Sequence, residues 1–224
     1  MARRSRKPTR ADEARAQIDE ARARIYHDLV LESAEQLFGA KGFEEATMRE
    51  VAQEAGISLK TLYTTFPGKK DLYREIQSLR GRAFLERVGA AVEQGSGPLD
   101  RLARATRAYV DFLLEHPNWL RIHLHERVSW ALGPATGEGT ELWRAGVDNL
   151  AGIVRDGVAE GSFHPGDPDA MAMMGIAIMQ VHLSRALELG EKDAERLADE
   201  VLLHLRRLLC SSESAQAPAL AESA

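Results

Sequence analysis

The chain has 224 residues, 44% apolar and 28% charged, with a formal net charge of −5. That is enough for one large or two small cores. The single cysteine, Cys210, excludes an internal disulfide and a cysteine-based zinc finger, and no run approaches the roughly 18 apolar residues of a membrane span.

The start, MARRSRKPTR, is basic but lacks the apolar stretch of a secretory signal, so a cytoplasmic protein is expected. Alanine, leucine, glutamate and arginine dominate, and no proline falls between Pro8 and Pro67. An all-α fold is therefore predicted. Charge is uneven along the chain. Residues 1–80 hold 15 basic against 13 acidic side chains, and the remainder 14 against 21. An N-terminal part that faces anions and a C-terminal body with another duty fit that asymmetry.

Residues 1–23 read as a basic arm, with Arg3, Arg4, Arg6, Lys7 and Arg10, followed by a helix-prone extension. The first amphipathic helix is predicted at 24–40, on Ile25, Leu29, Leu37 and Phe38, and ends at Lys41-Gly42. A second helix opens at Thr47, where Thr47-Met48-Arg49-Glu50 spells a capping box, and closes at Gly56. Ser58 is the expected N-cap of a third short helix, 59–66, stopped by Pro67-Gly68. Longer helices follow at 69–94, 98–115, 118–132, 140–160, 168–189 and 193–209, and 211–224 reads as a disordered tail.

Residues 47–66 form a helix-turn-helix pattern. Two short helices that cross steeply need a small residue at the turn, here Gly56, and apolar contacts, here Val51, Ala55, Ile57 and Leu62. The second helix then presents polar side chains to a major groove about 12 Å wide.

The run from Gly42 to Leu72 resembles the DNA-binding domain of the TetR family of repressors. The resemblance rests on Gly42, Phe43, Ala46, Thr47, Val51, Ala52, Ala55, Gly56, Ile57, Ser58, Thr61, Leu62, Tyr63, Phe66, Lys69 and Leu72, all in one register. Departures fall at Lys60, Thr65 and Pro67-Gly68 and bear on the target sequence. His116-Pro117 with Leu120, Gly161 with Phe163, and Asp167-Pro168 fit the family's C-terminal layout.

The resemblance implies a DNA-binding domain at 24–80 and a ligand-sensing and dimerisation domain at 81–210. It places Lys60, Thr61 and Thr64 at base edges, with Ser58 at the start of their helix. Tyr63 falls on a phosphate, and Thr47 and Arg49 lie where the second helix meets the DNA backbone. Lys69, with Lys70, is expected to hold a phosphate at a helix N-terminus. Arg3 to Arg10 either track the DNA or remain a solvated tail.

The resemblance also implies a homodimer built from the last two helices. Residues 170–187 are apolar nearly all round, so their helix must be buried on more than one side. Gly175 and Met179 are expected at the seam, with Leu197, Val201, Leu205 and Leu208 of the last helix at heptad-like spacing. A small-molecule pocket is expected from Trp119, His123, Glu126 and Trp130 on one helix face, with Tyr109, Phe112, Trp143, Met174, Ile178 and His182. The competing reading is that these aromatics are ordinary core.

No catalytic or metal constellation is legible. His123 and His125 are two apart and point to different helix faces, and there is no C-x-x-C, P-loop or nucleophile elbow. No cofactor or membrane partner is expected. The expected function is a one-component regulator that binds a pseudo-palindromic operator as a homodimer and answers to a small-molecule effector. The alternatives are a helical binding module that has lost sequence-specific DNA recognition, and an enzyme on a helical scaffold.

Overall fold

The computed structural model describes residues 9–125 and 140–210. Arg3, Arg4, Arg6 and Lys7 of the arm, the pocket candidates Glu126 and Trp130, and the expected tail at 211–224 lie outside the described residues. Among the described residues the only regular structure is helical, as the composition predicts: α1 (Arg10–Lys41), α2 (Met48–Glu54), α3 (Leu59–Thr65), α4 (Lys69–Glu93), α5 (Pro98–Glu115), α6 (Pro117–His125), α7 (Thr140–Ala159), α8 (Pro168–Leu189) and α9 (Ala194–Leu209). They divide into two compact units, the first ending at Ile76 and the second starting at Gln77, so the division falls inside α4.

In the first unit, the extension and the expected first helix are one helix, α1. Ile18 and Ile25 are exposed, and burial begins at Val30, Leu31, Ala34 and Phe38. Gly42, at φ +85°, ends α1 by taking the left-handed turn that disfavours a side chain. The capping box of α2 is formed: the Glu50 carboxylate accepts from the Thr47 N–H at 2.9 Å, and Thr47 Oγ1 accepts from the Glu50 N–H at 3.3 Å. The other end of α2 closes as a Schellman turn. The Ile57 N–H donates to Ala52 O at 3.0 Å and the Gly56 N–H to Gln53 O at 3.1 Å, with Gly56 at φ +64°. Ser58 caps α3 through the Thr61 N–H at 3.0 Å. Phe38, Val51, Leu62, Phe66, Leu72 and Ile76 form the core.

The second unit is built around α5, which packs on α6, α7 and α9, while α8 packs on α7 and α9. Leu102, Val110, Leu113, Leu120, Ile122, Val154, Leu183, Val201 and Leu205 are its innermost side chains. The Phe163 ring seats over Gly157, and the His164 N–H donates to Leu209 O at 2.7 Å, which ties the loop after α7 to the end of α9.

The seam expected at the end of the chain faces inward. Met179, Leu197, Val201 and Leu205 are buried within the chain itself, and a Cβ at Gly175 would lie 3.2 Å from Leu150 and 3.3 Å from Leu205. Leu208 is half-buried. The heptad-like stripe of α9 is spent on α5 and α8 because these pack against it within one chain. What α8 and α9 leave outside is a different stripe: Met174, Val181 and Leu189 on α8 and Leu203 on α9. By length and composition α8 is apolar enough to cross a membrane, but Met171, Ala172, Ile176, Met179 and Leu183 belong to the core of the second unit.

Candidate nucleic-acid interface

Local chemistry shapes the outer face of α3. Leu62 and Phe66, four residues apart, point into the core, so Lys60, Tyr63 and Thr64 are left on the outside. Tyr63 is 50% exposed, unusual for a tyrosine with no structural duty, and Lys60 is exposed beside it. Thr64 is exposed, and its Oγ1 donates to Lys60 O at 2.9 Å, which holds the hydroxyl back along the helix. Such a face offers a flexible cation, a phenol and a methyl, a combination able to read a guanine edge, a phosphate and a thymine methyl.

The other expected contacts divide into two groups. Arg49 and Lys70 are exposed. Ser58 and Thr61 are engaged with each other, their hydroxyls 2.8 Å apart at the cap of α3, so their first duty is to start the helix. Thr47 is exposed and serves the α2 cap, its hydroxyl donating to Glu50 Oε2 at 2.7 Å.

Lys69, expected at a phosphate, is engaged within the chain. Its ammonium donates to Phe43 O at 2.6 Å, Glu44 O at 3.0 Å and Ala46 O at 3.0 Å. Three acceptors occupy the three N–H donors of a lysine in the DNA-free chain. The sequence reading also missed Lys41, taken only as the end of a helix. Lys41 pairs with Glu50, and that ion pair together with the cap hydrogen bonds holds the Glu50 carboxyl down to about 2. A basic residue nine positions before a capping-box glutamate carries no local signal that the two will meet.

In the second unit, Tyr109, Phe112, Trp119 and His123 come together in one aromatic cluster with Phe84 of α4 and His116. The Trp119 Nε1–H donates to Gln77 Oε1 at 2.9 Å. Met174 and His182 point elsewhere. Met174 is 47% exposed, and His182 Nε2 lies 3.1 Å from His204 Nδ1 between α8 and α9. Trp143 and Ile178 are half-buried. A cleft of about 470 Å³ opens between α4 and α5 on Arg87, Arg104, Arg107 and four alanines, and none of the expected pocket residues lines it. Its arginines are already paired, with Glu115, Asp100 and Asp199 respectively. Among the described residues no three histidine, cysteine or carboxylate side chains gather to hold a metal ion.

Burial also sets the protonation of the aromatic cluster. It pushes the Tyr109 phenol well above its usual value and pulls the His123 imidazole down to about 4. His123 is therefore neutral in the folded chain at pH 5 to 7, while an unfolded chain takes up the proton below about pH 6.5. Stability from this group is complete above pH 6.5 and is lost as the pH falls towards 4. We expect His123→Phe to flatten the loss between pH 7 and 4.5 by about 2 kcal/mol, read from urea unfolding at both values. Parallel curves for the two proteins would remove His123 as the cause.

The comparisons with known proteins follow the same division of the chain. Residues 30–76 match the family model of bacterial regulatory proteins, tetR family. Residues 95–209, half of the chain, match the tetracyclin repressor-like C-terminal domain. The chain belongs to the TetR family. This TetR-family chain is 25% identical over 146 residues to the HTH-type transcriptional regulator YhgD of Bacillus subtilis, covering 65% of this chain and 76% of YhgD. Its fold matches the crystal structure of a tetR-family regulatory protein from Rhodococcus RHA1 with a TM-score of 0.70 at 24% identity, over 84% of this chain and 98% of that one. It also matches the regulator FadR of Bacillus subtilis, solved in complex with stearoyl-CoA, with a TM-score of 0.68 at 18% identity, over 80% of this chain and 97% of FadR. The family is one of transcriptional regulators that bind DNA through the helix-turn-helix of the first unit.

Proposed function

We propose that this TetR-family regulator is a cytoplasmic repressor. It binds a pseudo-palindromic operator as a homodimer and leaves it when a small molecule occupies the second unit. The observation that carries the reading is the outward face of α3, where Lys60, Tyr63 and Thr64 stand clear of a core closed by Leu62 and Phe66. Repression accords with the tetracyclin repressor-like match of the C-terminal domain. A dimer is supported by the uncovered stripe of Met174, Val181 and Leu203, apolar surface that a second copy of the chain would cover. A twofold dimer sets two recognition helices about 34 Å apart, one turn of DNA. Release needs an effector that prefers the non-binding conformation by several kcal/mol. Stearoyl-CoA in the FadR neighbour makes acyl thioesters the first class to screen.

Selection from random duplex DNA at near-physiological salt tests this reading. An inverted repeat is expected, and Lys60→Ala should lose about tenfold or more on that site while relaxing preference at one base of each half-site. Recovery of no motif, with binding that vanishes as salt rises, would favour a helical module without specific recognition.

A further inference from the structure

Three helices of the first unit meet at one turn, residues 42–46, and a lysine holds each side of it. Lys41, the last residue of α1, pairs with Glu50 of the α2 cap. Lys69, the first residue of α4, reaches back 23 to 26 positions to the carbonyls of Phe43, Glu44 and Ala46. Its ammonium also lies 4.4 Å from the centre of the Phe43 ring, and that ring packs edge-on against Phe38 and Tyr73. A turn between helices leaves carbonyls that must find donors, and one ammonium here satisfies three of them.

We propose that Lys69 is a positioning residue for DNA recognition and makes no phosphate contact. The turn it clamps ends at Thr47, which is the N-cap of α2. The Schellman turn at Gly56 then joins α2 to α3 through two backbone hydrogen bonds. The tilt of the face formed by Lys60, Tyr63 and Thr64 therefore follows from where residues 43–46 are held. Lys70, exposed and adjacent, is left as the lysine available to a phosphate at the start of α4.

The test compares Lys69→Met, Lys69→Arg and Lys70→Met with the unaltered protein. The probe is a 30-base-pair duplex of mixed sequence, titrated between 50 and 200 mM salt at 10 °C, with a melting curve for each protein. A planar guanidinium cannot serve three converging carbonyls, but it replaces an ammonium on a phosphate well. If Lys69 positions the turn, both Lys69 variants melt earlier and bind about tenfold more weakly at every salt, the equivalent of one good hydrogen bond. The slope of log affinity against log salt then stays that of the unaltered protein. Lys70→Met should instead lower that slope by about 0.9, one released counterion. The proposal is overturned if Lys69→Arg retains full affinity, or if Lys69→Met lowers the slope as Lys70→Met does, because either marks a phosphate contact. Earlier melting with unchanged affinity overturns it as well, because the lysine would then serve stability alone.

Discussion

Val181→Glu is expected to make the protein a monomer at concentrations where the unaltered chain sediments as a dimer, and to weaken operator binding by about a hundredfold or more. Val181 is 67% exposed, and Met174, seven residues earlier on α8, is 47% exposed. Together with Leu203 of α9 they form the apolar surface that stays exposed among the described residues. In the proposed dimer a carboxylate there would be desolvated on association and, across a twofold axis, would come close to its own copy. Burying an unpaired charge costs several kcal/mol, enough to shift a dimer equilibrium by orders of magnitude. Once the two recognition helices are no longer linked, the second half-site loses its millimolar effective concentration. Leu205→Ala serves as the contrast. Leu205 is fully buried in the chain's own core, so its loss should cost about 2 to 5 kcal/mol of folding stability. Dimerisation below the melting temperature should survive it. Sedimentation and thermal unfolding of both variants check the pair. A dimeric Val181→Glu protein would move the interface elsewhere.

Gly157→Ala should destabilise the second unit by about 3 kcal/mol, a large effect for one methyl group. A Cβ at this position of α7 would lie 2.1, 2.4 and 2.6 Å from carbons of the Phe163 ring. Phe163 is 3% exposed, so its ring is enclosed by the chain. Its backbone N–H also donates to Gly157 O at 3.0 Å, and Gly161 between them sits at φ +75°. To relieve the clash, Phe163 must leave its seat, and the neighbouring His164 hydrogen bond to the end of α9 goes with it. A loss of about 6 to 12 °C in melting temperature follows for a unit of this size. Adding Phe163→Leu to Gly157→Ala should recover part of it, which a double-mutant cycle would read as coupling. Additive effects would mean that the ring and the glycine are not in the contact described.

The helix-turn-helix was legible because its signals are local. A capping box works across three residues, a glycine ends a helix by its own φ, and two apolar side chains four apart share a helix face. Thr47, Glu50, Gly56, Ser58, Leu62 and Phe66 therefore act as their types and spacings predict. The outward placement of Lys60, Tyr63 and Thr64 follows from the same 3.6-residue period. The clustering of Trp119 with His123 follows from spacing too, but Phe84 and Gln77, which complete that neighbourhood, come from α4 and carry no mark of it.

What the amino-acid order determined by itself is the helical class, the punctuation between helices, and which side chains of α3 face outward. Each depends on interactions within about a turn of helix. Only the tertiary structure decided the rest. Lys69 looks the same in sequence whether it meets a phosphate or three carbonyls, since its acceptors lie 23 to 26 residues away. The stripe of α9 looks the same whether it seals a dimer or a core, since periodicity tells which residues share a face but not what packs against it. In this chain α5 and α8 reach that stripe first, so Leu197, Val201 and Leu205 stay inside and Val181 and Leu203 are left exposed.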